Sequence, residues 1–220
     1  MLRHRRFYLF LSVPVALMIG ALVWFRSQPD EITISFVGDI MLSRGVQRYL
    51  EEFGYDYPYE DVRDLFLQDD LTVGNLECPI TDYENAANKA KRFLFKADAE
   101  NASALKRAGF DCLNLANNHT MDYTSPGLLD TMTHLEANGL DYVGASENAA
   151  SKKPYIFEKN GIRVGLLAYS ALPPEGYFFN ADKPTVQYIS TLDFSGLEED
   201  IASVDCDFLI VYFHLSLIHI

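Results

Sequence analysis

Four short apolar runs in this 220-residue sequence end in residues that can hold a cation or move a proton. Ile32, Ile34 and Phe36 alternate with polar partners and lead through Val37-Gly38 into Asp39. Leu71 to Val73 leads through Gly74-Asn75-Leu76 to Glu77, Cys112 to Leu115 leads into Asn117-Asn118-His119, and Phe208 to Phe213 ends at His214. In open α/β sheets, sites gather at the carboxyl ends of strands. Parallel strands joined through helices would therefore bring two carboxylates, a carboxamide and an imidazole to one edge of a sheet. Oxygen and nitrogen donors of this kind suit Mn²⁺, Zn²⁺ or Fe²⁺.

Each residue alone also has an ordinary structural role. An Asp or Asn after a strand forms turns and caps helices. His119 is either a proton donor to a leaving group or a solvated, helix-capping side chain. His214 reads equally as a core histidine. Asp122 either orients His119 or serves the start of the next helix. Lys91, Arg92 and Lys96 form a small basic cluster, read as a solvated face that could alternatively hold an anion.

The elements that must position these residues follow from periodicity and punctuation. The first run reads as a strand closing in a Gly-Asp turn. Helical patterns cover Gly45 to Phe53 and Asp61 to Leu67. Asp98 is placed to cap a helix that runs to Ala108 and closes at Gly109. Ser125-Pro126 opens another that ends at Gly139. Tyr142-Val143 reads as a short strand, and Tyr155 to Phe157 with Ile162 to Ala168 as a hairpin around Asn160-Gly161. Leu172 to Thr191, rich in Pro, Gly and aromatics, reads as a long loop.

Ahead of this domain, Phe7 to Phe25 is uncharged and flanked by Arg3, Arg5, Arg6 and Arg26. At about 1.5 Å per residue such a helix spans the roughly 30 Å hydrocarbon core. Its ending, Val23-Trp24-Phe25-Arg26, suits an uncleaved anchor better than a small-residue cleavage site. Arginines before the span place the amino terminus in the cytoplasm and the rest outside the cell membrane. The expected organisation is a stub, anchor and linker over 1–29, a globular domain over 30–214, and a tail over 215–220. The first 29 residues hold four Arg and no acid, leaving 14 basic and 31 acidic residues beyond them. Such a surface excludes nucleic acid as a partner. Cys78, Cys112 and Cys206 are too few for a disulfide framework and read as small core residues.

Taken in order, Gly38-Asp39-Ile40-Met41, Asn75-Leu76-Glu77, Ala116-Asn117-Asn118-His119 with Asp122, and Phe213-His214 resemble the motif series of the CapA-type capsule-synthesis family. The resemblance covers about Ile32 to His214. That family is linked to bacterial poly-γ-glutamate synthesis and is similar in fold to calcineurin-like metallophosphatases. The resemblance implies an α/β fold class, with a two-sheet sandwich flanked by helices. It implies Asp39, Glu77, Asn118 and His214 as ligands of a divalent metal (Mn, Zn or Fe) and His119 as general acid. It further implies work on capsule assembly or export, with synthase subunits or an anionic polymer as partners.

Two departures qualify the likeness. The metallophosphatase pattern Asp-x-His is here Asp39-Ile40-Met41. Where the family continues with a Trp-Gly and Glu-containing stretch and later a His-Pro-His-type motif, this chain reads Leu215-Ser216-Leu217-Ile218-His219-Ile220. A fold incomplete at its C-terminal end is therefore expected, with no ligand role for His219. The alternative to a metal-dependent hydrolase is a non-catalytic membrane subunit of a polymer synthase.

Overall fold

A computed structural model describes residues 31–87, 93–174, 179–190 and 193–215, with Met18 alone before them. The expected membrane span, Lys91, Arg92 and the tail beyond Leu215 lie outside the described residues. No helix among the described residues is long and apolar enough to cross a membrane. The chain divides into two compact units, Met1–Ile32 and Thr33–Ile220, and the second contains every element below.

A parallel sheet runs in the order β1 (Ile34–Ile40), β2 (Leu71–Leu76), β3 (Cys112–Asn114) and β4 (Asp141–Val143). Its crossovers carry α1 (Gly45–Phe53), the single turn α2 (Arg63–Phe66), α3 (Glu100–Ala108) and α4 (Thr124–Ala137). Every residue of β2 is buried, as a strand covered on both faces requires. Gly74 has no room for a side chain: a Cβ there would lie 2.5 Å from Ile40 Cδ1 and 2.9 Å from Val37 Cγ2. The Gly-Asp pair of the first run is not a turn. β1 continues through Ile40, and a bulge between Phe36 and Asp39 shifts its register against β2. One extra residue there re-aims the side chains that follow. Asp39 thereby falls opposite Asn75, which lies opposite Asn114 in turn.

A second sheet holds the hairpin β6 (Tyr155–Lys159) and β7 (Ile162–Ser170), turned at Asn160 (φ 56°) and Gly161 (φ 77°) as the Asn-Gly signal requires. β9 (Phe208–His214) joins β7 in parallel, after a crossover containing α5 (Ser195–Ser203). Two short strands, β5 (Ala145–Ser146) and β8 (Thr185–Val186), form a small third sheet, so the expected long loop carries a strand. One apolar cluster, including Leu76, Leu113, Leu135 and Leu166, joins the two larger sheets. The Tyr212 hydroxyl of β9 donates to the Val37 carbonyl of β1 at 2.9 Å. Since side chains two apart on a strand share a face, this contact also turns His214 toward the first sheet.

Two expected caps differ. The Asp98 carboxylate accepts instead from the Tyr55 hydroxyl at 3.0 Å, and α3 starts at Glu100 without a side-chain cap. Ser125 and Pro126 lie inside the first turn of α4, where proline costs no hydrogen bond.

The cysteines are free, with Cys78 and Cys112 buried. Burial pushes the Cys78 thiol up to about 12 and the Cys112 thiol well above its ordinary range. Thiolate is the reactive form, so a thiol reagent at neutral pH is expected to modify no more than Cys206 until denaturant is added. Modification of two or three thiols in the native protein would contradict this burial.

Candidate metal centre

The centre is built on Asn75, a fully buried side chain of β2. Its Nδ2 donates to Asp39 Oδ1 at 2.7 Å and lies 3.1 Å from His214 Nδ1. Its Oδ1 accepts from Asn114 Nδ2 at 2.9 Å and from Asn117 Nδ2 at 3.1 Å. A carboxylate only accepts, so the bond to Asp39 fixes which end of this amide is nitrogen, and its two hydrogens serve Asp39 and His214. His214 Nδ1 is then the acceptor. The ring proton sits on Nε2, which donates to Asn118 Oδ1 at 2.8 Å.

Asn117 ties the third strand end to this network. Its Nδ2 also donates to the Leu76 carbonyl at 2.9 Å, while its Oδ1 accepts from the backbone N–H of His119 and of Thr120, each at 3.0 Å. The βα loop between β3 and α4 is thus held against the end of β2. Three strands of the first sheet and one of the second converge here. His214 arrives from the second sheet rather than from the edge of the first, a correction to the single-edge expectation.

Asp39, Glu77 and His214 each offer one donor atom, all within 4.8 Å of one another. Glu77 Oε1 lies 3.7 Å from His214 Nε2, and Asp39 Oδ1 lies 3.8 Å from His214 Nδ1. The residues fit a divalent cation. Two carboxylates supply charge, and His214 Nε2 and Asn118 Oδ1 face the same point, so a cation held there would take the place of the Nε2 proton. Burial lowers the His214 pKa; nearby Asp39 opposes this and His119 adds to it. The ring therefore stays neutral, the form that ligates metal. Asn75, bonded behind it, fixes the orientation of the ring.

His119 stands beside the cluster, its Nε2 3.9 Å from Glu77 Oε1. Its Nδ1 lies 2.9 Å from Asp122 Oδ2, which also accepts from the Phe95 N–H at 2.9 Å. The Phe95 ring stacks on the imidazole at 4.1 Å between centroids. A fully buried carboxylate behind Nδ1 favours a proton there, directs Nε2 outward and stabilises an imidazolium. That is the geometry of a proton donor rather than of a solvated cap.

All six residues singled out in the sequence come together: Asp39, Glu77, Asn118 and His214 in one group, His119 beside it, and Asp122 behind His119. Sequence reasoning quoted Asn75 and Asn117 within motifs without giving their amides a role and missed Asn114, whose signal is a polar side chain inside the otherwise apolar run Cys112 to Leu115. Of the basic cluster, Lys96 is engaged by Glu84 at 2.6 Å.

A family model described as "Bacterial capsule synthesis protein PGA_cap" matches residues 33–216. The chain is 35% identical over 158 residues to the "Capsule biosynthesis protein CapA" of Bacillus anthracis, covering 70% of this chain and 38% of that one. It is 30% identical over 191 residues to the "PGA biosynthesis protein CapA" of Bacillus subtilis, covering 81% of this chain and 50% of the relative. The chain thus spans half or less of the length of these relatives. Among solved structures, a "novel phosphatase" of Mycoplasma pneumoniae superposes with a TM-score of 0.51 at 18% identity, over 86% of this chain and 57% of that one. At that identity the likeness speaks to fold alone, an α/β architecture shared with that phosphatase.

Proposed function

The chain belongs to the bacterial capsule synthesis protein family, and from that membership we propose that it is a membrane-anchored, extracytoplasmic, metal-dependent hydrolase acting in poly-γ-glutamate capsule biosynthesis or export. The observation that carries the hydrolase reading is the adjacency of two carboxylates and a neutral imidazole to a histidine backed by a buried aspartate. Asp39, Glu77, Asn118 and His214 would hold the cation. When bound, it supplies a Lewis acid and a water of lowered pKa. Asn75 orients Asp39 and His214, and Asp122 and Phe95 fix the His119 ring. His119 Nε2 delivers a proton to the departing group. The anchor rests on the uncharged stretch Phe7 to Phe25.

Calorimetric titration with Mn²⁺ and Zn²⁺ tests the centre. The protein is expected to bind a divalent cation, and Asp39→Asn to weaken binding by about 10- to 100-fold or more. A cooperatively folded protein that binds neither ion sinks the hydrolase reading. The remaining reading is then a non-catalytic subunit of the synthase, which the Met41 of Asp39-Ile40-Met41 favours.

The direction of the His214 shift sets the pH dependence. Protons compete with the cation only for a ring that can protonate, and this one protonates below the ordinary range near ~6.5. Cation affinity is therefore expected to hold as pH falls through that value and to decline only below it. A decline centred above pH ~6.5 would contradict the burial of His214.

A further inference from the structure

We propose that Arg44, stacked on Phe93 at the carboxyl edge of the first sheet, is the residue that recognises a carboxylate of an acidic polymer chain beside the metal centre. The proposal rests on the capsule reading above and names the contact by which that site would select its substrate.

Arg44 occupies the first central position of a turn closed by the Val46 N–H donating to the Ser43 carbonyl at 3.2 Å. Its backbone, φ 56° and ψ −119°, is that of a type II′ turn, where glycine is the preferred residue. A strained arginine in glycine's place points to a use for its side chain. The guanidinium carbon sits 5.1 Å from the centroid of the exposed Phe93 ring. Stacking on an aromatic face holds the planar fork in one orientation and leaves its N–H edge for a bidentate oxyanion.

In a chain with 31 acidic and 18 basic residues, six of the eleven described Lys and Arg side chains form ion pairs, and Arg44 is one of five that do not, with Arg48, Arg63, Lys153 and Lys183. Arg107 pairs with Asp56 and Arg163 with Asp205. No carboxylate among the described residues lies within ion-pair distance of the Arg44 guanidinium.

Both supports of this pair also build the centre. Arg44 follows β1 five residues after Asp39, and the Leu42 N–H donates to Sγ of Cys78, the neighbour of Glu77, at 3.5 Å. Phe93 lies two residues before Phe95, the ring stacked on His119. The Lys96 N–H donates to Ser43 Oγ at 3.4 Å, holding the two segments together. A polyanion approaching this acidic domain is repelled overall, so its local docking depends on a cation placed beside the centre.

The test is calorimetric titration of the full chain, with and without Mn²⁺, using a short γ-linked glutamate oligomer and, separately, inorganic phosphate. Wild type is expected to bind the oligomer. Arg44→Gly is expected to weaken that binding at least ~10-fold while the melting temperature holds or rises, because glycine relieves the φ. Arg44→Lys should retain part of the affinity, and Phe93→Ala should lose part of it. Unchanged affinity in Arg44→Gly, a wild type that binds neither anion, or a loss of affinity accompanied by a fall in melting temperature would each overturn the proposal. Arg44-dependent binding of phosphate alone would overturn the carboxylate assignment. Arg44-dependent binding of the oligomer by a protein that takes up no Mn²⁺ would refute the metal reading and leave this one standing.

Discussion

Replacing Asn75 with leucine is expected to lower the melting temperature by about 6 to 12 °C and to weaken divalent-cation binding by about 10- to 100-fold. The first effect comes from what the amide leaves behind. The Asn117 amide keeps its bond to the Leu76 carbonyl, and Asn114 retains only a long 3.4 Å contact to the Ala116 carbonyl. Leucine offers no acceptor to either side chain and no donor to Asp39 or His214. Buried polar groups left unsatisfied cost about 1–3 kcal/mol each, so a total near ~3 kcal/mol allows for the surviving bonds. For a chain of this size, 1 kcal/mol moves the midpoint by about 2–4 °C. The second effect comes from freeing the His214 ring and the Asp39 carboxylate, which one nitrogen now orients together. Differential scanning calorimetry and cation titration read the two separately. A melt that shifts while cation affinity stays put would reduce Asn75 to a structural residue. Asn75→Asp offers a second check: it sets a carboxylate against Asp39 with no hydrogen to share. That variant is expected to be less stable than wild type in chelator and to recover more of its stability than wild type when Mn²⁺ is added.

Why Asn75 was not legible in the sequence is instructive. Single-sequence reasoning weighs an asparagine in Val73-Gly74-Asn75 as a strand terminator, since it is a poor strand former and a common turn residue. Its actual role depends on register. A bulge in β1 sets Asp39 opposite it, and the parallel pairing of β2 with β3 sets Asn114 on its other side. Neither can be read from local pattern. The ligand positions were legible for the opposite reason: apolar run, small residue, then an acid or amide is a local signal, and parallel topology alone carries such residues to one end of the sheet. That His214 belongs to a different sheet depended on the β7–β9 pairing and on the Tyr212 bond to Val37, both contacts over long sequence separation. Asp98 and α5 mark the same limit. Asp98 has the right chemistry for a cap, but Tyr55, distant in sequence, takes its carboxylate. The nine residues of α5 offer few large apolar positions, chiefly Leu197 and Ile201, too sparse a stripe to stand out from a polar loop.

Removal of the His119 imidazole as His119→Gln is expected to cost about 10²- to 10⁴-fold in kcat for a substrate with a poor leaving group. The size follows from its task, since an alkoxide or amine cannot depart at neutral pH without a proton. A leaving group such as p-nitrophenolate needs none, so on a p-nitrophenyl ester the same substitution should cost no more than about tenfold. Comparing the two substrates separates proton donation from a general collapse of the site, which would slow both alike. Asp122→Asn sharpens the assignment. Its carboxamide oxygen can still accept from the Phe95 N–H or from His119 Nδ1, so packing is kept while the charge that stabilises an imidazolium is lost. Its expected loss likewise falls on the poor leaving group, with cation affinity near wild type because Asp122 lies behind His119 and outside the Asp39, Glu77 and His214 group. Equal losses on both substrates, or cation binding that falls together with the rate, would show that His119 and Asp122 support the centre's architecture instead of moving its proton.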